Sequence, residues 1–361
     1  VVELGNSEEY QQKAREIGAK GVKFYGICCS GLAAMYRYEN VIPLSNAVGA
    51  ELVFGTGALD LWCADIQDVY PAIMDVAKCT QIVVVTTSDA ARLPGSEHYA
   101  YDRFHSNMGD TEKIARKIMD RALQAHWERR GLPVFIPPYE VKGKVGFNPY
   151  NVGQTFGYDK IAKALESGQI RGVVNIVGCS NPRVVFEKPT YEIALEMLKN
   201  DIVILTNGCA SFPLLKMGLC DPDSVMEKCG PGLQAFFKET DMPPVWHVGE
   251  CVDNAKCSGI FGTITGQFGR ALKEMPFAMS SPEWSNEKGV CASLGFRLHG
   301  INSYHCVEPP VQGSKKVTDF LKKDSAEYLG SVMYVHTDGK TVAAKIIEDI
   351  NAKRRVLGWK I

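Results

Sequence analysis

No apolar run in this chain approaches the ~18–20 residues that a bilayer-spanning helix needs; the stretch from Ile82 to Thr87 is far too short. Charge of one sign is also missing. The 40 Lys and Arg are matched by 41 Asp and Glu, for a formal net charge of −1. Nucleic acid and anionic membranes therefore have no electrostatic reason to bind. No signal peptide is visible at the start, where the first recognisable stretch is helix-like. The first residue is Val1 rather than Met, so the chain is expected to be a fragment or a processed product. There is no Cys-x-x-Cys pair, which argues against a zinc ribbon or a ferredoxin-type run. Fixed-period repeats and low-complexity tracts are absent too.

What is present is cysteine. Twelve in 361 residues is a high number for a soluble chain. Disulfide scaffolds of secreted proteins are usually short and carry a leader. A reducing cytoplasm, with thiols kept for metal or as small core residues, fits better. Thiols in such numbers are oxygen-sensitive and favour an anaerobic setting. Apolar residues make up 45% and charged residues 22%, an ordinary globular balance.

The chain alternates short β-branched runs with longer amphipathic stretches. Strands are predicted at 22–26, 51–54, 82–86, 134–136, 172–177, 202–205, 245–248, 277–279, 301–304 and 332–335. Helices are predicted at 7–17, 111–128, 158–167, 191–199 and 342–353. Continuous apolar strands between helices imply parallel sheets covered on both faces. The expectation is an α/β protein of two doubly wound, Rossmann-like domains, 1–131 and 132–361. The break falls at the Gly131, Pro133, Pro137, Pro138 cluster.

Four cysteines share one setting, each just after a predicted strand and a glycine. They stand in Gly26-Ile27-Cys28-Cys29, Val177-Gly178-Cys179-Ser180-Asn181-Pro182, Thr206-Asn207-Gly208-Cys209 and His247-Val248-Gly249-Glu250-Cys251-Val252-Asp253-Asn254. The carboxyl ends of parallel strands are where open α/β sheets place ligands. Glycine there allows a sharp turn and close backbone approach. Thiolates converging from several strands suit an iron–sulfur-type cluster rather than one small ion. Cys63, Cys79, Cys220, Cys229, Cys257, Cys291 and Cys306 lack the glycine turn and read as core residues. Cys29 adjoins Cys28 and reads as a spare ligand.

These stretches, with Ser280-Ser281-Pro282-Glu283 and Glu287-Lys288, resemble the nickel–iron carbon monoxide dehydrogenases of anaerobes over nearly the whole chain. The resemblance implies that Cys28, Cys179 and Cys209 hold iron of a catalytic cluster and that Cys251 holds nickel or the metal in its place. It implies that Lys288 stabilises an oxyanion or delivers a proton. It further implies oxidation of CO to CO2, a homodimer, an electron partner such as a ferredoxin, and an amino-terminal helical segment not seen here. His247 is a candidate proton relay or a satisfied core histidine, and His305 has the same two readings.

The chain departs from the family at three points. Asp68 stands where a cluster cysteine is expected, with Cys63 nearby. Glu250 replaces a small hydroxyl residue before Cys251. The family's cluster histidine would lie before Val1. Carboxylates are harder ligands than thiolates, so Asp68 and Glu250 shift the expected metal set toward a mixed iron–sulfur–oxygen cluster. The hybrid-cluster proteins hold such a cluster without nickel and reduce hydroxylamine, which is the alternative activity. A non-catalytic scaffold subunit is the third reading.

Overall fold

Runs of Val, Ile and Leu that end in glycine become the buried strands of the protein, because a side chain on either face then meets a helix rather than water. The computed structural model describes residues 1–66, 69–101, 104 and 107–361, without the side chains of Met108 and Glu287. Two compact units form, Val1–Tyr139 and Glu140–Ile361. Pro133 to Phe135 stays with the first, where the Phe135 N–H donates to the Thr56 carbonyl at 2.8 Å.

In the first unit, β1 (Phe24–Ile27) pairs in parallel with β2 (Val41–Ser45), and the helix Cys28–Met35 connects them. A second parallel sheet holds β3 (Leu61–Ala64), β4 (Val83–Thr86) and β5 (Glu97–His98). Its core gathers Phe54, Ile73, Met74, Ala77, Ile82, Val84 and Leu93. Phe54 meets Trp62 edge-on, with ring centroids 5.3 Å apart. The long helix Met108–Glu128 begins at a capping box: Asn107 Oδ1 accepts from Asp110 N, and Asp110 Oδ2 accepts from Asn107 N.

Two predicted strands are not strands. Residues 51–54 lie in the helix Ala50–Gly55. Ala50 and Phe54, one turn apart, are buried, while Leu52 is 69% exposed, and that is helical spacing. A run as short as Leu52-Val53-Phe54 fits either period. Residues 134–136 join no sheet, and all three side chains are exposed. The flanking prolines remove donors that a ladder needs.

The second unit is built on one six-stranded parallel sheet, β6 (Gly172–Gly178), β7 (Ile202–Gly208), β8 (Val245–Gly249), β9 (Phe277–Ser280), β10 (Ser303–His305) and β11 (Met333–Val335). Its order is β11-β10-β9-β6-β7-β8. The chain starts in the middle at β6, runs out to β8, returns beside β6 as β9 and continues the other way. That is a doubly wound sheet with its reversal point between β6 and β9, where such folds bind ligands. Every residue of β6 and β7 is buried. Trp246 on β8 stacks on Phe147 and Phe156 and closes this side of the core. The chain end is anchored by buried Arg354, which donates to the carbonyls of Leu165, Arg171 and Lys360. Among the described residues no helix is long and apolar enough to cross a membrane.

Candidate metal centre

Three adjacent strands end in glycines that turn the chain off the sheet. Gly178, Gly208 and Gly249 have φ of 117°, 64° and 140°, conformations that side chains disfavour. Pairing sets Gly178 opposite Gly208, and Asn207 opposite Gly249. Cys179 and Cys209 follow their glycines directly and Cys251 lies two residues after Gly249; all three are buried. A Cβ on Gly208 would overlap Cys251 Sγ. Cys251 Sγ also lies 3.8 Å from the Gly178 carbonyl. The missing side chain at Gly208 is therefore the seat of the Cys251 sulfur, across the strand ends that carry Cys179 and Cys209. Gly249 is needed on its own account, since a Cβ there would overlap the Asp253 carboxylate. That carboxylate accepts from the Glu250 N–H at 3.0 Å and pairs with Lys256 at 2.9 Å. Glu250 is thus part of the Cys251 turn.

Cys28 belongs to the first unit. It opens the helix Cys28–Met35 with φ of 58°, a left-handed conformation uncommon outside glycine. Cys28 and Cys29 are both buried. The turn is tight: a Cβ on Gly26 would come within 2.7 Å of Gly31 Cα. Ser30 Oγ donates to Asp65 at 3.2 Å, tying this helix to the end of β3. Asp68 lies outside the described residues.

Lys288 sits in the first turn of the helix Glu287–Leu298, whose cap Asn286 accepts from the Lys288 N–H at 3.0 Å. Lys288 and Cys251 line one cavity of about 340 Å³, together with Ala292, Phe296 and His299. Cys291 lines it too and is exposed. Cys63 and Cys79 are also exposed, so the expectation that these three are core residues is corrected. Each sits on the outward side of its strand or helix, an orientation that cysteine, small and ambivalent, does not signal in sequence. Cys220, Cys229, Cys257 and Cys306 are buried as expected, and burial pushes their thiols up to about 12. They remain protonated at neutral pH and are poor ligands.

His247 is fully buried, with Nε2 2.9 Å from Ser211 Oγ, and Ser211 Oγ donates to the Gly208 carbonyl at 2.7 Å. Burial pushes its imidazole down to about 4, so it is neutral and backs the Gly208 turn. His305 is held likewise between the Ser281 carbonyl and Ser293 Oγ and is also pushed down to about 4.

None of the twelve cysteines is in a disulfide. Among the described residues, no three His, Cys, Asp or Glu side chains are grouped around one ion position. Buried soft donors on separate, glycine-bent strand ends fit a polynuclear sulfur cluster better than a single ion.

The sequence profile of the Prismane/CO dehydrogenase family matches residues 1–340. The chain belongs to this family. Carbon monoxide dehydrogenase 2 of Carboxydothermus hydrogenoformans is 30% identical over 98% of this chain and 57% of its own length. The beta subunit of the carbon monoxide dehydrogenase/acetyl-CoA synthase of Moorella thermoacetica is 27% identical over 98% of this chain and 54% of its own. Among solved structures, the nickel-free carbon monoxide dehydrogenase of Thermococcus sp. AM4 superimposes with a TM-score of 0.93 at 32% identity, covering 100% of this chain and 56% of that one. The chain thus spans little more than half the length of these relatives.

Within this family member, the motif residue Glu283 does structural work that the sequence did not reveal. Its buried carboxylate accepts from Glu187 N, Thr190 N and Thr190 Oγ1, and so caps the helix Lys188–Lys199 from across the chain. Burial raises its pKa above 4.5, and the hydrogen bonds from Thr190 and Glu187 oppose that shift. An acid with a raised folded-state pKa binds more protons folded than unfolded. Its stabilising effect is complete below the unfolded value and is lost as pH rises through the folded one. Glu283→Gln keeps one acceptor but places an amide near the Glu187 N–H, at a cost of roughly 1 kcal/mol. The slopes therefore decide. The wild-type stability curve should carry a downward component above pH 4.5 that the Gln variant lacks. Parallel curves in urea titrations across that window would refute the assignment.

Proposed function

We propose that the chain is the cluster-bearing part of a carbon monoxide dehydrogenase, which converts CO and water to CO2, two protons and two electrons. The cavity shared by Cys251 and Lys288, beside the glycine-turned Cys179 and Cys209, carries this reading. Cys28, Cys179 and Cys209 are assigned to iron and Cys251 to nickel, with Cys29, Asp68 and Glu250 as the further candidate ligands. The bound nickel–iron–sulfur cluster supplies the place where CO is oxidised and the two electrons are taken up. Lys288 contributes a cation on the cavity wall, which stabilises a developing oxyanion and can give up a proton. The neutral His247 holds the Gly208 turn through Ser211. Phe296 and Ala292 keep part of the cavity wall apolar, in keeping with a small uncharged substrate. A homodimer, a ferredoxin-like electron acceptor, a helical segment beyond this chain and a cytoplasmic location complete the proposal.

The test is metal analysis of anaerobically purified protein. Iron, labile sulfide and nickel in fixed proportion, with CO-dependent reduction of viologen, is the expected result. Iron without nickel and turnover of hydroxylamine would replace it with the hybrid-cluster chemistry. Neither iron nor sulfide would leave only the scaffold reading.

A further inference from the structure

Two asparagines interrupt strands that are otherwise apolar. Asn175 lies on β6, three residues before Gly178, and Asn207 on β7 directly precedes Gly208. Both are 0% exposed. A buried amide is costly unless it is hydrogen-bonded, and parallel strands in such positions are normally Val or Ile. Here both amides point to one partner. Asn175 Nδ2 and Asn207 Nδ2 donate to Asn254 Oδ1 at 2.9 and 3.2 Å. Asn254, the first residue of the helix Asn254–Gly266, donates its own Nδ2 to the Cys251 carbonyl at 2.8 Å. Cys257, one turn along that helix, closes the ring: its thiol donates to Asn175 Oδ1 and accepts from Asn207 Nδ2, each at 3.4 Å. The network thus joins the strand that leads to Cys179, the strand that leads to Cys209 and the turn that carries Cys251. A network meant only to dock a helix has no need to end on the carbonyl of that cysteine.

We infer that Asn254 is a positioning residue. Held by Asn175 and Asn207, it fixes the Cys251 turn in register with the strand ends of Cys179 and Cys209, and so governs retention of the metal that Cys251 holds. The inference rests on the cluster reading above and deepens it.

Asn254→Asp tests it, because the variant keeps the volume and the acceptor for both asparagines and replaces the donor to the Cys251 carbonyl by a carboxylate oxygen. Two readouts are needed. In anaerobically purified protein, iron should be retained, while affinity for nickel should fall roughly 10- to 100-fold, as for other groups that orient a metal ligand. In metal-stripped protein, alkylation by iodoacetamide, followed peptide by peptide, should be several-fold faster at Cys251 and unchanged at Cys209. If a carboxylate at this position prevents folding, Asn254→Ser carries both readouts. Wild-type nickel content together with a wild-type alkylation rate at Cys251 would overturn the inference. Equal acceleration at Cys209 and Cys251 would do so as well, since that marks general loosening. Wild-type protein that holds no nickel would defeat the proposed function instead, and the alkylation rates would still decide the role of Asn254.

Discussion

Gly208→Ala should abolish the metal centre and leave the fold standing. The two consequences have separate causes. The backbone at Gly208 has φ of 64°, which alanine can adopt at a cost of about 1–2 kcal/mol. A unit of this size should then lose a few degrees of melting temperature. The site suffers far more. The new Cβ would overlap Cys251 Sγ and lie 3.1 Å from the Gly178 carbonyl, so the sulfur has to leave its seat. Metal–ligand distances tolerate only about 0.2 Å. Under the proposed function, nickel content and CO oxidation should therefore fall by more than the roughly 100-fold seen for outer residues of metal sites. Gly178→Ala is the control with the greater backbone strain. It also places a side chain at positive φ, but its Cβ meets Ser281 Oγ, a hydroxyl that can rotate away. It should cost more stability, because φ of 117° lies outside the left-handed region that alanine reaches, and much less metal. Melting curves and metal content for the pair give the comparison. Equal metal loss in both would mean that backbone strain, and not the seat of Cys251, controls the site.

The same local features decide what the sequence disclosed. β6, β7 and β8 were legible because each is mostly apolar and ends in glycine, and the cysteines behind those glycines stood out for that reason. β2 was not, because Pro43 interrupts it, which only an edge position tolerates. The helices Asn254–Gly266 and Glu287–Leu298, which wall the cavity, also escaped notice. The first buries one face, Cys257, Ile260, Phe261, Ile264 and Thr265, but the rest of it carries Ala, Ser, Gly and Thr with Lys256 as its one charge, so the stripe lacks polar contrast, and glycines and β-branched residues lower its propensity. Tertiary packing makes it a helix. The role of Glu283 depends on partners more than 90 positions away in the chain, beyond the reach of local patterns. Asn175 and Asn207 did leave a trace, since an amide inside an otherwise apolar buried strand requires a partner. The partner itself emerges only when β6, β7 and the Cys251 turn are assembled.

Under the proposed function, Lys288→Ala should lower the rate of CO oxidation by roughly 100- to 10,000-fold, the range for loss of a positioned acid or charge in a transition state. Iron and nickel content should stay at wild-type levels. The position of the lysine supports a functional role. It lies in the first turn of a 12-residue helix, where the dipole disfavours a cation by about 0.3–1 kcal/mol. A cation kept against that field, on the wall of the cavity that also holds Cys251, conflicts with local stability, and such conflicts concentrate at functional sites. Lys288→Arg then separates its two roles. A guanidinium keeps the charge but does not release a proton near neutral pH. Substantial recovery in the Arg variant would identify an electrostatic clamp; failure to recover, with the metals intact, would identify a proton donor. An Ala variant that retains activity within a few-fold of wild type would remove Lys288 from the chemistry altogether.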